Sequence, residues 1–244
     1  ISILVFSYKL YLVPNLQQKN MDVLITGSTG MVGKSILDEC IKDDRVNKIF
    51  LISRSSLGLK NSKIFEFIIE DFLKVHELKT KIKGCDACFH CMGITSFGHS
   101  KKYYYKVTFE MTKEITDLVY EINPNAIMTY VSGEGTSSKQ NSKISWANVK
   151  VKAENYILNK GLKDSYMIRL GILIPENGIR PKTKIYNLFY TLITPLYPIL
   201  KLIPSITTSS KLGKAMINCF YHPSKEKYLD NKKINKLSTI HLKY

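Results

Sequence analysis

From Met21 onward, short apolar runs alternate with stretches whose apolar residues recur every three or four positions. Asp22–Thr26 has the length and composition of a strand, and Met31–Lys42 carries Met31, Ile36, Leu37 and Ile41 at helical spacing. The same pattern predicts strands at Lys48–Ser53, Phe65–Ile69, Ala87–Met92, Ala126–Val131 and Tyr166–Leu170. It predicts helices at Thr108–Ile122, where Met111, Ile115, Leu118 and Val119 share a face, and at Trp146–Asn159. Nearly continuous apolar strands separated by helices imply a parallel sheet buried on both faces. The expected fold class is therefore α/β, a doubly wound parallel sheet with a small C-terminal helical cover over a substrate cleft.

Two stretches fall outside this alternation. Ile1–Val13 is mostly apolar but is interrupted by Lys9, lacks a small-residue cleavage site before Pro14 and is too short to span a bilayer. Residues 1–20 are expected to be a leader or upstream extension, with a membrane anchor as the alternative. Ile185–Ile206 is apolar and aromatic, but Pro195, Pro198 and Pro204 argue against one straight membrane helix. Two readings of it stay open: a pair of short helices covering the substrate cleft, or a peripheral membrane contact through 185–206. The expected organisation is a dinucleotide-binding core over 21–175, with 176–244 as a cover within the same domain.

The first strand and helix are joined by Gly27-Ser28-Thr29-Gly30-Met31-Val32-Gly33, a G-x-x-G-x-x-G spacing. Gly27 permits a tight turn, Gly30 lets backbone approach a pyrophosphate, and Gly33 lets helix pack closely on strand. A helix N-terminus presents free N–H groups to phosphate. Between a strand and a helix this loop marks a Rossmann-type dinucleotide site, with Gly27, Thr29, Gly30, Met31, Val32 and Gly33 as candidate contacts. About 20 residues on, an NAD site carries an acid for the ribose hydroxyls. Here the second strand ends in Ser53-Arg54-Ser55-Ser56. A guanidinium suits a 2′-phosphate, so NADP(H) is the preferred cofactor and NAD(H) the alternative.

Cys85, Cys88, His90 and Cys91 have a spacing that suggests a metal. On a strand, however, successive side chains alternate faces, which separates Cys88 from Cys91. No metal is expected. The five cysteines are an odd number, which points to reduced thiols and a cytoplasmic protein, or one associated with a membrane if 185–206 lies on lipid. The 244 residues suffice for one sizeable core. A formal charge of +16 raises the question of nucleic acid, but only Arg45, Arg54, Arg169 and Arg180 among the 36 basic residues are arginine. Scattered lysines read as a solvated surface, and no nucleic-acid partner is expected.

The chain resembles the extended and atypical short-chain dehydrogenases, the NAD-dependent epimerase/dehydratase superfamily. The matching parts are Gly27–Gly33, Asp71-Phe72, Cys91-Met92-Gly93-Ile94-Thr95, Val131-Ser132-Gly133, Trp146-x-x-x-Lys150 and Arg169-Leu170-Gly171. It is most similar to a subgroup with Trp where the family has its catalytic Tyr. The resemblance implies that Ser132 polarises a carbonyl or hydroxyl and that Lys150 holds the nicotinamide ribose. It also implies that Gly93 lies along the cofactor, with Asp71 and Phe72 near the adenine. Trp146 stands at the tyrosine position, and indole does not titrate near neutral pH. The proton donor is then absent or supplied by Tyr103, Tyr104, Tyr105, Tyr130 or Glu134. Two functions follow as expectations: an NADP(H)-dependent oxidoreductase or epimerase-like enzyme for a small carbonyl or hydroxyl substrate, or a non-catalytic NADP(H)-binding regulator or scaffold.

Overall fold

The computed structural model describes residues 19–136, 145–180 and 184–240. The expected leader therefore falls almost wholly outside the described residues. Strands β1 (Met21–Thr26), β2 (Val46–Ser53), β3 (Ile64–Ile68), β4 (Ala87–His90), β5 (Ile127–Gly133) and β6 (Asp164–Leu170) form a parallel sheet. With the two-residue strand Tyr228–Leu229 at its edge, the order is β3-β2-β1-β4-β5-β6 and then that edge strand. The chain thus runs outward from β1 in both directions, and the order reverses between β1 and β4. In an open parallel sheet, a crevice opens at the carboxyl ends of the strands at such a point.

Side-chain alternation divides the core. Val23 and Ile25 of β1 point to one face, against helix α1 (Met31–Lys42) and Leu212, Met216 and Ile234 from the C-terminal helices. Leu24 points to the other, with Phe50, Ile52, Ile115, Leu118 and Met128. The apolar stripes of α1 and of Met111–Ile122 are what hold these helices to the sheet. After Pro175 the chain forms α5 (Lys184–Ile193), a 3-10 turn (Thr194–Leu196), α6 (Tyr197–Leu200), α7 (Ser209–Tyr221) and α8 (Asn231–Ser238). Of these, α7 packs along α1, and α8 packs on α7, so the C-terminal helices cover one face of the sheet.

Most strand ends lie within two residues of the sequence pattern, and three departures from it bear on the site. Strand β4 ends at His90 rather than Met92, because Cys91, Met92 and Gly93 turn away along the crevice. The helix expected from Thr108 begins seven residues earlier. It comprises α2 (Lys101–Tyr105), a π-helical turn (Lys106–Glu110) and α3 (Met111–Ile122). Ser100 caps it by accepting from the Tyr103 N–H at 3.2 Å. A 3-10 helix, Phe72–Leu78, is capped by Asp71, which accepts from the Leu73 N–H at 3.1 Å.

Candidate functional site

The turn after β1 is tight. Gly27 has φ +74°, and a Cβ there would lie 2.6 Å from the Cys91 carbonyl carbon. A Cβ on Gly33 would run into the Gly27 carbonyl, so the first turn of α1 rests directly on the loop. Gly30 donates to the Gly27 carbonyl at 2.9 Å and forms the N-cap of α1 without a side-chain capping bond. The first turn of α1 holds no acidic residue. Its N–H groups are therefore available to an anion. A Cβ on Gly30 would meet only the Gly27 carbonyl oxygen, at 3.4 Å. The space in front of Gly30 is open.

That space belongs to a cleft of about 410 Å³. Gly27, Thr29, Gly30, Arg54, Asp71, Phe72 and Gly93, seven of the residues expected to bind cofactor, line it together. Met31 instead lines an adjoining crevice of about 350 Å³ beyond Gly30, with Lys34 and Arg180. Val32 packs against the core and Gly33 is buried under the loop. Two lining residues were not indicated by the sequence pattern, Lys106 and Val107 on the π turn; beside them lie Tyr103, on α2, and Met111, at the start of α3. A π turn widens a helix locally and often marks a functional site. Across the cleft, the Lys106 ammonium stands 3.9 Å from the Asp71 carboxylate. The Ser100 cap ahead of Lys101 was the one local signal for this helix start.

Ser132, Trp146 and Lys150 are not part of that lining. They lie on β5 and on helix α4 (Ser145–Leu158), whose positions 146, 150 and 154 share a face. The Trp146 ring lies 3.9 Å from where a Cβ on Gly133 would be, next to Ser132. The Ser132 hydroxyl is buried and has no hydrogen-bond partner among the described residues. The Lys150 ammonium sits 6.0 Å over the Tyr130 ring, and burial pushes its pKa down to about 8, against the pull of Glu154. Glu154 is fully buried; it binds the Arg169 guanidinium at 2.7 Å and accepts from the Thr136 hydroxyl at 3.2 Å. This pair ties α4 to β6, and so sets the height of Lys150 along β5.

Below this face lies a polar bridge that sequence reasoning missed. His90 contacts the Thr26 hydroxyl through Nδ1 at 2.6 Å and the Thr112 hydroxyl through Nε2 at 3.0 Å. Its ring stacks on Tyr130 at 5.5 Å. Burial, reinforced by Lys150, pushes the His90 pKa down to about 3, so the ring is neutral. The bridge joins the ends of β1 and β4 to α3, directly behind the glycine loop.

The other candidate proton donors are placed as follows. Tyr103 lines the cleft and is partly exposed. Tyr104 is buried, and burial raises its pKa. The Tyr105 hydroxyl accepts from Lys152 at 2.5 Å. Tyr130 is buried, which raises its pKa far above the usual phenol range. Glu134 lies beside Gly171. Cys85 and Cys88 pack on one side of the sheet, with Cys91 against the other. Among the described residues, no three His, Cys, Asp or Glu side chains are grouped to hold a metal.

Residues 23–177 match the model of the NAD dependent epimerase/dehydratase family. The chain belongs to that family. It is 24% identical over 97 residues to a mouse sterol-4-alpha-carboxylate 3-dehydrogenase, decarboxylating, a match spanning 40% of this chain and 26% of that one. The chain thus matches only about a quarter of that relative's length. Among solved structures, it is similar to a short chain dehydrogenase from Burkholderia cenocepacia in complex with NADP. The TM-score there is 0.65 at 12% identity, over 91% of this chain and 93% of that one. It is also similar to Gre2 from Candida albicans in complex with NADPH, with TM-score 0.63 at 16% identity, over 86% and 77%. The Bordetella bronchiseptica enzyme WbmF in complex with NAD+ gives TM-score 0.63 at 13% identity, over 90% and 77%. At these identities the likeness is one of fold.

Proposed function

We propose that this family member is an NADP(H)-dependent oxidoreductase or epimerase-like enzyme for a small carbonyl or hydroxyl compound, with an atypical site made of Ser132, Trp146 and Lys150. The observation that carries the reading is the Ser132 hydroxyl, buried at the end of β5 with no hydrogen-bond partner among the described residues. A buried hydroxyl left unpaired costs stability unless something comes to bond it. The bare N-terminus of α1 and the open space at Gly30 fit a dinucleotide pyrophosphate. When bound, the nicotinamide supplies the hydride donor or acceptor.

The chain's own residues divide the remaining work. Ser132 donates to, and so polarises, the substrate oxygen. Lys150 holds the nicotinamide ribose and is charged below about pH 8. Asp71 and Phe72 flank the adenine end of the cleft, with Gly93 along its wall. Trp146 closes the site with an apolar wall and moves no proton. Of the donors considered, Tyr103 is the tyrosine that faces the cleft. A second reading, a non-catalytic NADP(H)-binding regulator, is favoured by the indole at position 146. Stoichiometric NADPH binding with no consumption across a panel of aldehydes and ketones would decide for it.

Cofactor choice is tested through Arg54, which is exposed, lines the cleft and has no carboxylate partner among the described residues. NADPH is expected to bind more tightly than NADH, and Arg54→Ala to shrink the preference by roughly tenfold or more, the scale of one charge-assisted contact. Equal affinities in the unsubstituted protein would rule the assignment out. Placement of the nicotinamide is tested through Trp146, the one tryptophan in the chain. Reduced nicotinamide absorbs where indole emits, so saturating NADPH is expected to quench nearly all tryptophan emission. Binding by calorimetry without a change in emission would put Trp146 far from the nicotinamide.

A further inference from the structure

The segment after the core presents its amphipathic pattern inside out. Leu188, Leu192, Leu196 and Ile199 follow one another at helical spacing through α5, the 3-10 turn and α6, and Leu202 and Ile203 continue the row. All six are exposed, from 41% for Ile203 to 80% for Leu202. The opposite side of the same helices carries Asn187, Tyr190, Thr194 and Tyr197, which line a crevice of about 200 Å³ against the loop Pro175–Arg180. A helix on a water-facing surface buries its leucines and exposes its polar residues. Here the polar side faces the protein and the leucine side faces out. An exposed apolar surface of this size marks a contact with another apolar phase or molecule.

Charge indicates which. From Asn177 through Lys225 the chain has no Asp or Glu and seven Lys or Arg, so this fifth of the sequence contributes +7 of the formal +16. Lys214 is exposed, Arg180 is exposed at the crevice on the polar side, and Lys201 is bound to Glu176 at 2.6 Å. A two-fold contact with a second copy would lay this carboxylate-free segment against itself, cation on cation. An anionic lipid surface offers an apolar layer under negative headgroups. The prolines at 195 and 198 break the helices into short pieces, and among the described residues no helix is long and apolar enough to cross a membrane. Short bent helices with one apolar side lie in the plane of the interface.

We propose that the Leu188–Ile203 face is a docking surface for anionic lipid membranes, on which the leucine row enters the headgroup boundary while the excess of basic over acidic residues in this segment draws it to a negatively charged surface. The proposal is independent of the cofactor assignment, since none of these residues lines the dinucleotide cleft. The test is co-sedimentation of the full chain with two kinds of vesicle: phosphatidylcholine alone, and phosphatidylcholine with about one third phosphatidylserine. Binding is expected to the phosphatidylserine vesicles, to weaken several-fold as salt is raised, and to be weak on phosphatidylcholine. Leu192→Asp with Ile199→Asp is expected to lower the vesicle-bound fraction at least tenfold while melting temperature and NADPH affinity stay unchanged. Because both positions are exposed, the folded variant is a valid control. No sedimentation with phosphatidylserine vesicles, or binding indifferent to the double substitution, would overturn the proposal. So would a dimer by analytical ultracentrifugation that the double substitution dissociates in the absence of vesicle binding, because a second copy would then cover the face.

Discussion

Gly30→Val is expected to weaken dinucleotide binding by about a hundredfold or more, roughly 2.7 kcal/mol, while the melting temperature stays within a few degrees. The backbone at Gly30 has φ −84° and ψ 165°, an extended conformation that a β-branched residue adopts readily. A Cβ there touches only the Gly27 carbonyl oxygen, at ordinary contact distance, so the fold tolerates the change. The added methyl groups occupy the space in front of the α1 N-terminus, where a pyrophosphate takes its N–H bonds. Gly33→Val makes the opposite case, since its Cβ runs into the Gly27 carbonyl, and that variant is expected to lose the fold itself. Calorimetry and thermal melting on both variants separate the two effects. Retained affinity in Gly30→Val would show that this loop is not the phosphate site.

Acidification is expected to destabilise the protein well above the carboxylate range, through His90. In the folded chain its pKa is pushed down to about 3; in the unfolded chain it returns to about 6.5. As pH falls below about 6.5, the unfolded form takes up a proton that the folded form refuses. The stability present at neutral pH is therefore lost progressively as pH falls from about 6.5 toward 3. This one group sets a limiting slope of about 1.4 kcal/mol per pH unit, or roughly 2 kcal/mol between pH 7 and 5. Charging the ring would place a cation in the core beside Lys150, between Thr26, Thr112 and the Tyr130 ring. His90→Gln keeps a donor and an acceptor without a titrating group, and is expected to flatten the acid dependence. Denaturant unfolding at pH 7 and pH 5 measures both proteins. An unsubstituted midpoint that does not move over this interval would mean that His90 is not held neutral.

The phosphate loop was legible in the sequence because its requirements are local. A tight turn, a close approach and a helix start each demand a particular residue within seven positions, and glycine is the residue that meets them. Arg54, just past the end of β2, was legible for a similar reason, since a fixed chain distance separates it from the loop. The cleft wall made by Lys106, Val107 and Met111 was not, because it depends on a π turn whose position no periodicity records. The His90 bridge was not legible either. Its partners lie 64 and 22 residues away, and a histidine among cysteines carries no sign of which hydroxyls it will meet.

By itself, then, the sequence determined the alternation of strands and helices, the parallel sheet and the glycine loop between β1 and α1, all written in spacing along one stretch of chain. Only the tertiary structure decided that Trp146 stands against Gly133, that the Ser132 hydroxyl is buried without a partner among the described residues, and that Lys150 lies over Tyr130. It also decided that the leucines of 188–203 face outward. The physical reason is common to these cases. Periodicity fixes which residues share a face of a helix, whereas what that face meets is set by chain segments far away in sequence.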